Sequence, residues 1–349
     1  MKRIKSAYRL RRWQISRERR ELARRRMRAD RKARSEILPL DSPFVACVKA
    51  PEIFLLEREH THAEICAFLY ELRQACHTSD KVVVIDFRRT KKVFAGAMLL
   101  FYSELARLKA LYPHAQWSCL PSRDGTVSQV LKFLGIYEML GYESAVIPAR
   151  QDVVTWRHTS DTLVDGQKSG QLLEMYKGLT LDETRHMFRG VAEATTNVVH
   201  HAYIAARKDG LHCPDEKRWW MFCRESDDNL YVAVCDLGVG IPGSLPVRFD
   251  GELIAKFLSD LGGKSHDGKM IQAAIEIART RTDRSGRGKG LGDLKRVVDE
   301  VPGTRLYIFS NRGLVEYWGG KETVRNFTHS ILGTMIVWIL PLKGKPNVH

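Results

Sequence analysis

The stretch from Gly190 to Tyr203, Gly-Val-Ala-Glu-Ala-Thr-Thr-Asn-Val-Val-His-His-Ala-Tyr, decides how the chain folds around it. Glu193, Asn197 and His201 recur every four residues, so a helix would place them along one polar stripe. The apolar stripe of the same helix would pack on a sheet and consists of Met187, Phe188, Val191, Thr195, Val198 and Ala202. Because buried polar groups cost free energy unless each finds a partner, this row of carboxylate, amide and imidazole predicts a bound metal–phosphate group.

The net charge of +15 is concentrated at the N-terminus of this 349-residue chain, which is long enough for two domains. Residues 1–37 contain 16 lysines and arginines against four acidic residues, which gives this segment a charge of +12 and the remainder +3. Residues 1–38 are therefore predicted to form a basic arm, either helical or disordered. Three roles are open for the arm: a solvated extension, contact with the phosphates of a nucleic acid, or contact with an acidic protein or lipid surface.

Cysteine usage and the apolar runs bear on the compartment. The seven cysteines are scattered and never spaced as CxxC, which favours a reducing compartment over a disulfide framework or a zinc site. The longest apolar runs, 82–85 and 336–340, have the length of strands, and no signal peptide is recognisable. We therefore expect a cytoplasmic protein without a membrane span.

Residues 39–150 alternate between strand and helix patterns. The predicted strands are 44–49, 53–56, 82–85 and 116–120, and the predicted helices are 60–77, a segment over Met98–Tyr112, and 127–134. Such alternation predicts a small mixed sheet with helices packed against it.

One part of this region resembles the STAS domain, the α/β sandwich of the anti-sigma-factor antagonists. The resemblance rests on Val-Val-Val-Ile-Asp at 82–86, followed by a loop and by Ala-Gly-Ala at 95–97, which opens a long helix. In that family a phosphorylatable serine stands at the start of this helix, whereas this chain has Phe94, Ala95 and Gly96 there. The resemblance thus implies a binding or dimerising role rather than a phosphoacceptor.

Residues 151–170 are polar and predict a linker between two domains or an exposed edge hairpin. Beyond them, residues 231–236 predict a buried strand that ends at Asp236. Gly238 and Gly240 then permit a tight turn that approaches a ligand closely. A strand-end aspartate in this position can accept a hydrogen bond from an exocyclic amino group such as that of adenine.

A glycine-rich segment, residues 286–292, precedes a predicted helix. Glycines that open a helix present backbone N–H groups and the positive end of the helix dipole to phosphate. Arg284, Arg287 and Lys289 add positive charge at the same place. The order of helix, strand and turn, glycine segment and final strand at 333–341 is specific, although each motif alone is common.

Taken together, residues 171–345 resemble the GHKL (Bergerat-type) ATP-binding fold of gyrase-type ATPases and histidine kinases, an α/β sandwich with a mixed sheet and helices on one face. The Glu193 segment is especially similar to the N-box of the anti-sigma-factor serine kinases. The resemblance implies that Glu193 is the general base, that Asn197 binds Mg²⁺, that His201 lies near the phosphates and that Asp236 binds the adenine amino group. The other nucleotide contacts that it implies are Gly238, Gly240, Arg287, Gly288, Lys289, Gly290, Leu291, Gly292 and Thr334.

Two alternatives stay open within that assignment. Glu193 would either orient or deprotonate a nucleophile, or only hold Asn197 or a metal-bound water in place. His200 adjoins His201, and one of the two would be a structural histidine. Residues 244–285 would form a lid over the nucleotide, with a helix at 269–279.

Three functions remain open from the sequence, with ATP and Mg²⁺ as the expected cofactors. The first is an anti-sigma-type kinase that phosphorylates serine or threonine on a STAS-type or sigma-factor-like partner. The second is an ATPase switch that binds nucleic acid through residues 1–37, and the third is a nucleotide-sensing adaptor without turnover. A homodimer is compatible with each of them. The N-box similarity and the fused STAS-like region favour the first.

Overall fold

The structure is a computed structural model, and it describes residues 42–77, 81–163, 166–174, 178–210, 217–262, 266–285 and 291–342. The chain is an α/β protein. The predicted basic arm, residues 1–38, lies outside the described residues. So does most of the glycine-rich segment, with Arg287, Gly288, Lys289 and Gly290.

In the part of the N-terminal region that the structure describes, the chain forms two small sheets and four helices. Its elements are β1 (Val45–Lys49), β2 (Ile53–Phe54), α1 (Glu59–His77), β3 (Val82–Asp86), β4 (Lys92–Val93), α2 (Ala95–Leu111), β5 (Trp117–Leu120), α3 (Gly125–Phe133) and α4 (Ile136–Met139). The predicted helix at 60–77 and the long helix opened at Ala95 are confirmed. The strand predicted at 53–56 is only two residues long.

The prediction of a mixed sheet in this region is wrong. The three-stranded sheet, in the order β1-β3-β5, is parallel throughout, and β2 pairs with β4 in parallel as well. The physical reason is the connectivity. A helix lies between β1 and β3 and another between β3 and β5, and such a helical crossover returns the chain to the same end of the sheet.

The C-terminal region is built on one large sheet. Its elements are α5 (Gln151–Val154), β6 (Arg157–Asp161), α6 (Gly166–Glu174), α7 (Leu181–Asn197), a π-helical turn (Val198–Ala202), β7 (Trp219–Ser226), β8 (Asn229–Asp236), α8 (Gly240–Arg248), α9 (Gly251–Asp260), α10 (Asp267–Ser285), α11 (Gly292–Glu300), β9 (Arg305–Ser310), β10 (Gly313–Trp318), β11 (Lys321–Asn326) and β12 (Thr334–Pro341). None of the described helices is long and apolar enough to cross a membrane.

The large sheet has seven strands in the order β11-β10-β9-β12-β8-β7-β6, and every neighbouring pair is antiparallel. The prediction of a mixed sheet for this region is therefore also wrong. Short hairpins account for three of the six pairings, because a two-residue turn can join only antiparallel strands. Asp227 and Asp228 form one such turn, and Gly319 and Gly320 another, all with positive φ.

Residues 151–163 hold an element that a simple linker would lack. Strand β6 pairs with β7 along its whole length and forms one edge of the large sheet. Helix α5 precedes it, and Trp156 between the two is completely buried. The alternative of an exposed edge hairpin comes closer to this arrangement, since the segment supplies an edge strand.

Both faces of the large sheet are apolar and covered. Along β12, Ile336 and Trp338 point to one face, where α7 and α11 pack. Met335 and Val337 point to the other, where α2 packs across β7, β8 and β12. The described helices of residues 166–342 thus lie on one face, in agreement with the prediction for this region, and a helix of the N-terminal region covers the other face. One continuous core joins the N-terminal region to this second face.

A buried ionic cluster also joins the two regions. Both terminal nitrogens of Arg207 donate to the carboxylate of Glu104, each at 2.9 Å, and Arg73 donates to the same group at 3.2 Å. Arg207 also donates through Nε to Asp209 at 3.0 Å. Burial alone would raise the pKa of Glu104, but Arg207 and Arg73 outweigh it and lower the pKa to about 2.

Candidate functional site

Helix α7 positions the first part of the site. Thr180 caps the helix by accepting a hydrogen bond from the Glu183 amide at 3.2 Å, and the Glu183 carboxylate accepts from the Thr180 amide at 2.7 Å. Met187, Val191 and Ala194 bury the apolar stripe against the sheet. Glu193 and Asn197 therefore lie near the C-terminal end of a helix whose start is capped and whose apolar side packs on the sheet.

Glu193 and Asn197 form a hydrogen-bonded pair. The Nδ2 group of Asn197 donates to the Glu193 carboxylate at 2.7 Å and to the Glu193 backbone carbonyl at 2.9 Å. These two bonds use both amide hydrogens, so Oδ1 of Asn197 is the atom that can ligate a cation. Glu193 is buried and Asn197 is half-buried. A carboxylate thus lies directly beside an amide oxygen of the kind that Mg²⁺ takes as a ligand.

The helix widens immediately after Asn197. Residues Val198–Ala202 form a π-helical turn, a feature that is frequent at functional sites. His201 lies in this turn and not on the regular α-helical stripe that its spacing predicts. Burial, assisted by the positive charge of Arg248, lowers the pKa of His201 to about 4. His201 is therefore a neutral imidazole at pH 7 and acts as a hydrogen-bonding group rather than as a cation.

Asp236 ends β8 in the middle of the sheet, opposite Thr334 of β12. One of its carboxylate oxygens accepts a hydrogen bond from the Gly238 amide at 2.8 Å. Burial raises the pKa of Asp236 to about 6, and the hydrogen bonds from Gly238 and Thr334 limit this rise. A buried carboxylate with a raised pKa is a typical feature of a functional site.

The turn after Asp236 fits tightly against the end of the π-helical turn. The Val239 amide donates to the Ala202 carbonyl at 2.8 Å. A Cβ atom added at Gly238 would lie 2.1 Å from that same carbonyl oxygen, so only glycine allows this approach. Gly240 has a φ of +75°, which glycine adopts without strain. The helix motif and the strand–turn motif, more than thirty residues apart in the chain, are thus brought together.

Three further residues support this turn: Tyr203, which ends the Glu193 segment, and Ser310 and Asn311, which the motifs did not indicate. The Ile241 amide donates to the Ser310 hydroxyl at 2.8 Å, and Asn311 donates to the Val239 carbonyl at 2.9 Å. Tyr203 accepts a hydrogen bond from the Leu237 amide at 3.2 Å. Ser310 is the last residue of the buried strand β9, and Asn311 follows it. Two polar residues at the end of an apolar run are the sequence signal that could have indicated them.

Some of the remaining predicted residues lie in described elements, and the others lie outside the described residues. Thr334 is buried, and its hydroxyl lies 3.1 Å from that of Ser310, beside the turn. Leu291 and Gly292 begin α11, which packs against α7. The predicted helix at 269–279 is confirmed as part of α10, and residues 244–285 contain parts of three helices. Arg287, Gly288, Lys289 and Gly290 were predicted to bind phosphate and lie outside the described residues.

Among the described residues there is no group of three or more histidine, cysteine, aspartate or glutamate side chains that could hold a metal ion. No protein-family model matches the chain, and no curated protein matches it. The candidate site is therefore described by its own geometry: the hydrogen bond from Val239 to Ala202 brings the Asp236 turn against the end of the segment that carries Glu193, Asn197 and His201.

Proposed function

We propose that residues 171–345 bind Mg·ATP at the junction of α7 and the Asp236 turn. We further propose that the chain is an ATP-dependent regulatory protein that phosphorylates or switches a protein partner. The observation that carries this proposal is the hydrogen bond from Val239 to Ala202, which brings together two segments that the GHKL resemblance assigns to one nucleotide site. The chemistry of the residues fits as well. Asp236 offers a carboxylate that can accept a hydrogen bond from adenine, and Asn197 offers an amide oxygen that can bind Mg²⁺.

The roles follow from the environment of each side chain. Asp236, with a pKa of about 6, is ionised at neutral pH and accepts a hydrogen bond from the exocyclic amino group of adenine. Asn197 would ligate Mg²⁺ through Oδ1, since its Nδ2 group is held by Glu193. Glu193 orients or deprotonates the attacking hydroxyl. ATP, when bound, supplies the phosphoryl group.

The N-terminal region favours a phosphoacceptor on a separate protein. Position 96, where the STAS resemblance would expect the start of an acceptor helix, is a glycine that packs on Val337, and an added Cβ atom would lie 3.1 Å from its Cγ2. Val337 lies on the sheet face opposite α7. The chain also has no hydroxyl at positions 94–96. We therefore propose that this region docks or regulates and that it does not receive phosphate.

The Glu193 and Asn197 pair provides the decisive test. We expect Asn197→Ala to lose Mg·ATP binding in calorimetry. Glu193→Gln should keep that binding and lose turnover by roughly 10²–10⁴-fold, the usual contribution of a general base. Glu300→Gln, at an exposed position of α11, serves as the matched control. If wild-type protein gives no heat with Mg·ATP, or Glu193→Gln turns over normally, the proposed roles are wrong.

Labelled ATP separates the possible reactions. Purified protein is incubated with γ-labelled ATP and a purified STAS-domain protein. Label on that protein supports the kinase, and free phosphate alone supports an ATPase switch. Binding without either product supports the nucleotide-sensing adaptor, the third function that the sequence left open.

The charge of +12 on residues 1–37 favours one second candidate, an ATPase switch that binds nucleic acid. We expect the wild-type chain to shift a labelled RNA or DNA duplex at low salt, with an affinity that falls steeply as salt increases. Removal of residues 1–37 should abolish the shift. Equal affinity of the truncated and full-length chains would rule out this role of the arm.

A further inference from the structure

A cavity of about 270 Å³ lies between α2 and strands β6 and β7, away from the proposed nucleotide site. Its walls come from both regions of the chain, and Tyr102, Ala106, Arg107, Tyr203, Arg218 and Trp220 contribute most of its chemistry. None of these side chains was proposed to contact the nucleotide, although Tyr203 supports the Asp236 turn.

The sequence of α2 creates the space. Tyr102, Ala106 and Ala110 follow one another at intervals of four residues, so they form one face of the helix. The two alanines leave room where larger side chains would fill the gap against β7. Trp220 and Arg107 are only 5% and 6% exposed, whereas Ala110, which also lines the cavity, is exposed. The cavity therefore reaches the surface beside Ala110.

We propose that this cavity binds a small anion that carries a flat apolar group, such as an aromatic carboxylate or phosphate. Arg107 and Arg218 provide two guanidinium groups, whose planar donors match carboxylate and phosphate oxygens. Tyr102, Tyr203 and Trp220 provide aromatic surface for the apolar group. A few polar groups within a mostly apolar concavity are typical of small-molecule sites.

Tyr203 connects this cavity to the Asp236 turn. Its hydroxyl donates to the Arg218 carbonyl at 2.6 Å and accepts from the Leu237 amide at 3.2 Å. A ligand in the cavity would thus touch a side chain that holds the residue next to Asp236. We expect bound ligand to change the affinity for ATP, and bound ATP to change the affinity for ligand by the same factor. This coupling rests on the proposed nucleotide function, whereas the occupancy of the cavity does not.

The test uses phenyl phosphate as the probe, with the full-length chain and calorimetry in the absence of ATP. We expect wild-type protein to bind phenyl phosphate, and to bind neutral benzyl alcohol and inorganic phosphate at least about tenfold more weakly, since each lacks one half of the recognised chemistry. Ala106→Leu fills the cavity and should abolish binding. Ala67→Leu, which adds the same atoms at an exposed position of α1, should leave it unchanged.

Arg218→Gln supplies a second variant that retains the backbone carbonyl bonded to Tyr203. We expect it to bind phenyl phosphate about tenfold more weakly than wild type. Absence of phenyl phosphate binding to wild type, or equal binding to Ala106→Leu and wild type, would overturn the proposal. Equal binding of inorganic phosphate would do so too. Because ATP is absent from this titration, its result is independent of whether the chain binds nucleotide.

Discussion

The two faces of the seven-stranded sheet are built from different kinds of contact. Helices α7 and α11, which flank the proposed nucleotide site, cover one face with a core of mainly aliphatic side chains. Helix α2, from a region that ends more than sixty residues before β7, covers the other. That second face holds more aromatic residues and, at its border, the buried cluster of Glu104, Arg207 and Arg73.

The difference shows how the N-terminal region is attached. The first face needs only residues 166–342, because the helices that cover it belong to the same region as the sheet. The second face would expose a large apolar surface without α2, and a soluble domain rarely leaves so much of its sheet uncovered. The N-terminal region therefore completes the core of the C-terminal region, whatever else it binds.

Among the substitutions that test how the N-terminal region is attached, Glu104→Gln should cause the largest loss of stability. The substitution removes the carboxylate that the buried Arg207 and Arg73 share and leaves both of them with Asp209, and breaking a buried pair costs about 3–5 kcal/mol of the free energy of unfolding. Urea denaturation measures the loss. Glu64→Gln, at a half-exposed position of α1, serves as the matched control. A loss below about 1 kcal/mol would mean that the ionic cluster does not hold the two regions together.

Ile336 and Val337 allow the two faces to be compared at neighbouring positions of β12. Ile336→Ala removes buried atoms beneath α7 and should cost about 2–5 kcal/mol, while Val337→Ala beneath α2 should cost about 2 kcal/mol. Because both faces belong to one folded unit, each variant should still unfold in a single transition that is the same by fluorescence and circular dichroism. Separate transitions in the Val337 variant would show that the N-terminal region unfolds on its own.

The smallest expected effect is a pH dependence of stability and ATP affinity that arises from Asp236 at the proposed nucleotide site. Its pKa in the folded chain, about 6, lies above the 3.8 of a free carboxyl. A proton on Asp236 therefore stabilises the fold, and this contribution is complete below pH 3.8 and lost as the pH rises through 6. Because the ionised form is the one that binds the adenine amino group, ATP affinity should fall about tenfold per pH unit below 6.

Asp236→Asn separates these two effects. The variant cannot ionise, so its stability should not change between pH 4 and 6 in the way that wild-type stability does. Its ATP affinity should be low and independent of pH over the same range. Calorimetry at pH 5, 6 and 7 measures both proteins, and a wild-type affinity that is constant across this range would contradict the assignment of Asp236.

Local patterns predicted much of this protein. The helical spacing of residues 187–202 predicted the C-terminal part of α7, and the run ending at Asp236 predicted β8 together with the tight turn. The pair of Glu193 and Asn197 was also predictable, because residues four apart on a helix face each other. The position of His201 was not, since the widening of the helix after Asn197 depends on how Ala202 meets Gly238 and Val239.

By itself, then, the sequence determined many of the helices and strands and several of the polar side chains near their ends, because these depend on spacing and on residues close along the chain. Only the tertiary structure decided the strand directions, the cover of the second sheet face and the burial of Glu104 with Arg207, which are 103 residues apart. Contacts of that kind depend on which apolar surfaces meet, and the apolar pattern of a single segment does not specify its partner.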